Sequence, residues 1–142
     1  MTFHLRDHTA DVAVEATATT LSDVFEEVAA GLTAASCETV PETGGERFTV
    51  EEAAESREAL LFDYLDRLVY ERDVRLVLPT DHSCVVEHDR SAPDDEAWRV
   101  EAGARGVPLA DVAAREIKAV TYSEMELSER EDGWYAYVVF DV

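Results

Sequence analysis

The sequence predicts an α+β single domain, a mostly antiparallel sheet with two amphipathic helices packed on it. Three observations predict it. Apolar residues recur at helical spacing in two separate windows, short alternating segments flank both windows, and the C-terminal segment is apolar on both faces. A strand with no polar face is usually central and covered on both sides. At 142 residues the chain can bury one sizeable core, and 1–142 is read as one domain.

Phe3 to Ala16 reads as strand, turn, strand, with the turn at Asp7-His8-Thr9-Ala10-Asp11. Thr20 has the character of a helix N-cap, with Asp23 three residues on. Leu21, Val24, Phe25, Val28, Ala29 and Leu32 then form one apolar stripe, while Glu26, Glu27 and Thr33 fall off it. The Pro- and Gly-bearing stretch 38–46 is a loop. Arg47 to Glu51 alternates as a half-buried strand does. Ser56 caps a second helix carrying Leu60, Leu61, Tyr64, Leu65, Leu68 and Val69, with Arg67 and Arg72 toward the end that favours cations.

Val74 to Val77 and Cys84 to Glu87 are two short strand candidates around Pro79-Thr80-Asp81, and Asp89 to Glu96 is an acidic loop. Trp98 to Ala104 alternates. Leu109 to Arg115 is compatible with a helical turn or a loop. Ile117 to Leu127 is a long strand, joined through an Asp132-Gly133 hairpin turn to the last strand, Trp134 to Val142. Trp98 and Trp134 read as isolated aromatics at strand starts.

The formal net charge is −20, from 32 acidic and 12 basic residues, and Lys118 is the one lysine among eleven arginines. Such an acid excess repels itself in dilute buffer and is screened where the Debye length falls to about 3 Å, near 1 M salt. It fits adaptation to a salty cytoplasm or a docking surface for a basic partner. It disfavours direct grip on nucleic acid, which relies on basic groups displacing phosphate counterions. No apolar run is long enough for a membrane span and no leader-like segment opens the chain, so a cytoplasmic location is expected. Cys37 and Cys84 share no C-x-x-C spacing and read as free buried thiols. Phosphate-binding glycine loops and a serine nucleophile elbow are absent from the sequence, so a self-sufficient enzyme is not expected.

The chemistry-bearing residues lie near the two ends. If the first and last strands end side by side, the Asp11 and Asp141 side chains and the Val142 α-carboxylate meet at one point. Such a cluster repels itself unless protons or a cation neutralise it, and hard oxygen donors suit Ca²⁺, Mg²⁺ or Mn²⁺. The alternative is that a C-terminal Asp is simply solvated. His8 is placed to orient Asp11, ligate a metal or exchange protons, or else to bond to turn backbone. Lys118, between Ile117 and Ala119, offers a point charge for a buried carboxylate, a phosphate or a partner, or else snorkels to water.

Three segments in order resemble the archease family, small partner proteins of the GTP-dependent tRNA-splicing RNA ligase. They are Phe3 to Asp11 with His8-Thr9-Ala10-Asp11, then Ile117-Lys118-Ala119-Val120-Thr121-Tyr122, then Phe140-Asp141-Val142. The likeness spans the chain. It implies a cofactor protein, not a catalyst, that promotes guanylylation of the ligase by GTP and its repeated turnover. It also implies a divalent cation (Ca, Mg or Mn) held by Asp11, Asp141 and Val142, and a functional set of His8, Asp11, Lys118 and Asp141.

Overall fold

The computed structural model describes residues 1–7 and 11–142. Its elements are β1 (Thr2–Asp7), β2 (Asp11–Ala18), α1 (Leu21–Ser36), β3 (Glu46–Ala54), α2 (Arg57–Arg75), β4 (Val77–His88), β5 (Trp98–Pro108), β6 (Ala119–Arg130) and β7 (Gly133–Asp141). The α+β class holds, with every strand pairing antiparallel. The strands divide into two sheets rather than one, ordered β1-β2-β7-β6 and β3-β5-β4.

Both helices start where their caps place them. The Thr20 hydroxyl accepts from the Asp23 N–H at 3.1 Å and the Ser56 hydroxyl from the Ala59 N–H at 3.1 Å, satisfying donors that the first turn leaves free. The apolar stripes then bury as their spacing requires. Val24, Phe25, Val28, Leu60, Leu61, Tyr64 and Leu65 are completely buried. A fully buried aliphatic or aromatic side chain of this kind is worth roughly 1.5–3 kcal/mol. Helix α1 packs on β2 and β4, and α2 on β3 and β6, so the helices tie the two sheets into one core.

Two expectations change. Val74 to Val77 is not a strand. Helix α2 runs on to Arg75 and ends at Leu76 in the left-handed conformation, φ 57°. Its last turns are held by Glu71, which accepts from Arg67 at 3.0 Å and Arg75 at 2.6 Å. Burial alone would raise the Glu71 carboxyl, but these guanidiniums hold it below the usual carboxylate value. One long strand, β4, begins only at Val77 and runs on through the second expected strand, Cys84 to Glu87, with a register shift between Thr80 and Ser83 and Asp81 at φ 50°. Leu109 to Arg115 resolves as a single 3-10 turn, Leu109–Asp111, followed by irregular chain.

The two tryptophans are not isolated. The Arg57 guanidinium lies 5.3 Å from the Trp98 ring of β5 and 5.1 Å from the Trp134 ring of β7, clipping one sheet to the other at the start of α2. His88 stacks on the Trp98 ring at 4.3 Å. Strand β4 is an edge, and α1 covers its free donors: Glu26 accepts from the Cys84 N–H and Ser22 from the Val86 N–H. This blunts an edge that would otherwise invite another strand.

Gly31 is where α1 presses on the four-stranded sheet. A β-carbon there would collide with Val14 Cγ1, and Val14 is completely buried. Alanine is favoured over glycine in a helix interior by about 1 kcal/mol. Overpacking a closed core costs roughly 1–3 kcal/mol. Gly31→Ala is therefore expected to lower stability in urea denaturation despite its better helix propensity, and a rise in the unfolding midpoint would contradict this packing.

Candidate functional site: the carboxylate end of the four-stranded sheet

Strands β2 and β7 are the central pair of the first sheet, and their register runs from Ala18 opposite Trp134 to Asp11 opposite Asp141. Directly opposed residues of an antiparallel pair point to the same face, with β-carbons about 4.5–5.5 Å apart. The inner face of this pair, Val12, Val14, Val138 and Phe140, is core. Asp11 and Asp141 fall on the other face, Asp11 half-buried and Asp141 exposed, with Val142 following directly. Val139, on that same face, is nevertheless buried at 3% exposure.

The third strand of this end is β6. Ala119 is also in register with Asp141, and the Lys118 N–H donates to the Asp141 carbonyl at 2.8 Å. Lys118 therefore stands just before the strand rather than inside it, and its side chain is exposed instead of pairing with a buried carboxylate. The backbone of this segment is well anchored. Arg115 donates from its N–H to the Ser36 carbonyl and from Nε to the Ala35 carbonyl, both at 2.8 Å, occupying acceptors that the end of α1 leaves open. Arg72 donates to the Arg115 carbonyl, and Ile117 is buried in the core at 1% exposure. These positioning contacts were not legible beforehand, because nothing in the sequence pairs Arg115 with a helix end so remote from it.

His8 lies outside the described residues. So does the rest of the expected turn, Thr9 and Ala10. Further along the same face, Tyr135 donates to the Glu15 carboxylate at 2.8 Å, and Arg130 lies 3.7 Å over the Tyr135 ring. Burial, then the bond to Glu15, pushes the Tyr135 phenol up to about 12, so it remains a donor at every physiological pH.

The donor chemistry at this end fits a hard divalent cation. Two carboxylates stand opposite one another, and Val142 adds main-chain oxygen beside them. Ca²⁺ and Mg²⁺ take oxygen ligands of this kind, and Mg²⁺ commonly keeps waters or accepts phosphate oxygens alongside one or two carboxylates. Among the described residues no group of three or more His, Cys, Asp or Glu side chains is gathered closely enough to hold a metal ion.

The model of the Archease protein family (MTH1598/TM1083) matches residues 3–142. The chain belongs to the archease family. It is 32% identical to protein archease of Methanosarcina acetivorans over 137 residues, covering 96% of this chain and 92% of that one. It is 31% identical to protein archease of Thermococcus gammatolerans over 140 residues, covering 96% and 95%. The solution structure of Methanobacterium thermoautotrophicum protein 1598 superposes with a TM-score of 0.83 at 26% identity, covering 99% and 98%. The crystal structure of a Thermotoga maritima archease, named a possible chaperone, shares the fold with a TM-score of 0.63 at 21% identity, covering 98% of each chain. No helix among the described residues of this archease is long and apolar enough to cross a membrane.

A second polar cluster of this archease lies where α1 meets the irregular part of β4. Thr33, which falls off the apolar stripe in sequence, is buried. Its hydroxyl is 2.7 Å from the Pro79 carbonyl and 2.8 Å from His82 Nε2. A hydroxyl has one proton to give. With that proton on the Pro79 carbonyl, Nε2–H donates to Thr33, and Nδ1 keeps its lone pair. Nδ1 is buried with no hydrogen-bond partner, so protonating it would bury an unsatisfied N–H. Burial accordingly lowers the His82 pKa to about 4, against the opposing pull of Asp81.

The linkage has a definite sign. Between about pH 6.5, where a free histidine titrates, and pH 4, the unfolded chain binds a proton that the folded chain refuses. Stability is lost as pH falls through this window, by up to about 3 kcal/mol from this group. His82→Gln removes the titration, so its urea midpoint is expected to fall less steeply than wild type between pH 6.5 and 4. Parallel curves for the two proteins would contradict the assignment.

Proposed function

We propose that this chain is a non-catalytic activator of the tRNA-splicing RNA ligase, promoting its guanylylation by GTP and its repeated turnover. The observation that supports this most directly is the strand register that sets Asp11 opposite Asp141 beside Lys118 and Val142. A divalent ion would be held by the two carboxylates with main-chain oxygen of Val142, and would supply charge neutralisation to phosphate oxygens of the partner's nucleotide. The chain's own residues do the rest. The central strand pair fixes the backbone positions of Asp11 and Asp141 opposite one another. The Lys118 backbone holds the Asp141 carbonyl, and its exposed ammonium is free to meet a phosphate or a partner carboxylate. His8 belongs to the same proposed set. The −20 charge argues for a protein partner with a basic surface rather than for RNA itself.

The alternative reading is a general acidic binding module or chaperone, for which charge spread over the surface matters more than any one carboxylate. Guanylylation of the cognate ligase by GTP, with and without this protein, separates the two. Wild type is expected to accelerate the reaction, while Asp11→Asn, which keeps the size and strand position of the side chain, is expected to return it to the rate of ligase alone with an unchanged melting temperature. Full activation by Asp11→Asn would remove the carboxylate end from the mechanism and favour the module.

A further inference from the structure

Two open clefts, of about 420 and 720 Å³, follow the outer flank of α1 and share Ala34, Cys37 and Glu38, so they form one continuous trench. One end lies at His82 and the bulge of β4; the other lies at Arg115, in the segment that delivers Lys118 to the carboxylate end. The lining mixes apolar and polar groups: α1 contributes Ala30 and Ala34 together with Glu27 and Thr33, and β1 contributes Phe3 and the exposed Leu5.

The charge of this trench departs from the rest of the surface. Helix α1 carries Asp23, Glu26 and Glu27 and no basic residue, whereas α2 carries four arginines, and the solvent face of the three-stranded sheet alternates Arg47, Arg99 and Arg105 with glutamates. Glu27 and Glu38 stand along the trench. Among the described residues Arg115 is the one arginine or lysine that lines it, and its Nε is used on the Ala35 carbonyl. Small apolar side chains set between carboxylates are complementary to a segment that carries apolar side chains flanked by arginine or lysine.

We infer that the trench along α1 docks a basic, apolar segment of the partner protein that the carboxylate end serves. The inference rests on the function proposed above. It adds an affinity surface distinct from the activating residues: the trench holds the partner, and the carboxylate end acts on it.

The test measures the affinity of the cognate ligase for three forms of this protein at low and at high salt: wild type, the double charge reversal Glu27→Lys with Glu38→Lys, and Ala34→Arg, which fills the floor at a helix position that tolerates arginine. Both altered proteins are expected to bind at least tenfold more weakly, with melting temperature and divalent-ion binding unchanged. The wild-type affinity is expected to weaken with salt. Wild-type affinity retained in both altered proteins would overturn the trench while leaving the proposed function standing. No binding by wild type at either salt concentration would overturn both.

Discussion

The pairing of β2 with β7 is the constraint on which the rest of this structure depends. It joins the start of the chain to its end, runs unbroken from Ala18–Trp134 to Asp11–Asp141, and lies at the centre of its sheet. Its inner face supplies much of the floor on which α1 packs, down to the contact of Val14 with Gly31. Because side chains alternate strictly along a strand, a slip of one residue would turn Val12, Val14, Val138 and Phe140 out to water. The hydrophobic core therefore enforces the register that sets Asp11 opposite Asp141.

The elements were legible to the degree that local chemistry determines them. Thr20 and Ser56 announce the two helices because a side-chain oxygen must meet first-turn donors, and the apolar stripes do the rest. Asp132-Gly133 announces the last hairpin because glycine tolerates the positive φ of 139° found there. What escaped is non-local. Division into two sheets depends on which strand finds which partner, and no strand states that in its own sequence. Val74 carries the β-branched character of a strand, yet the Glu71 ion pairs and the left-handed Leu76 carry the helix past it. Thr33 is polar and breaks the stripe, but it is buried because Pro79 and His82 are there to receive it.

The same division applies to the candidate site. Asp11, Asp141, Val142 and Lys118 were named from sequence, and the strand register explains why residues so far apart in the chain stand together. Their supports, Arg115 on the end of α1, Arg72 on Arg115 and Ile117 in the core, become visible only in three dimensions. The acidity of the chain then separates into distinct roles. Glu71 and Glu52 carry Arg67, Asp81 carries Arg105, and Glu26 seals a strand edge.

We propose that one pair among 32 acidic residues, Asp11 and Asp141, forms a specific divalent-ion site. Paramagnetic broadening of backbone amide resonances during titration with Mn²⁺ at high salt tests it most directly, because broadening reports distance from the ion and salt suppresses diffuse binding. The account predicts that Asp11, Val12, Lys118, Ala119, Asp141 and Val142 broaden first, at substoichiometric ion, and that Asp141→Asn abolishes this early loss. Simultaneous broadening across α1, the loops and both sheets, unchanged in Asp141→Asn, would show that the ion reads only the overall charge and would contradict the account.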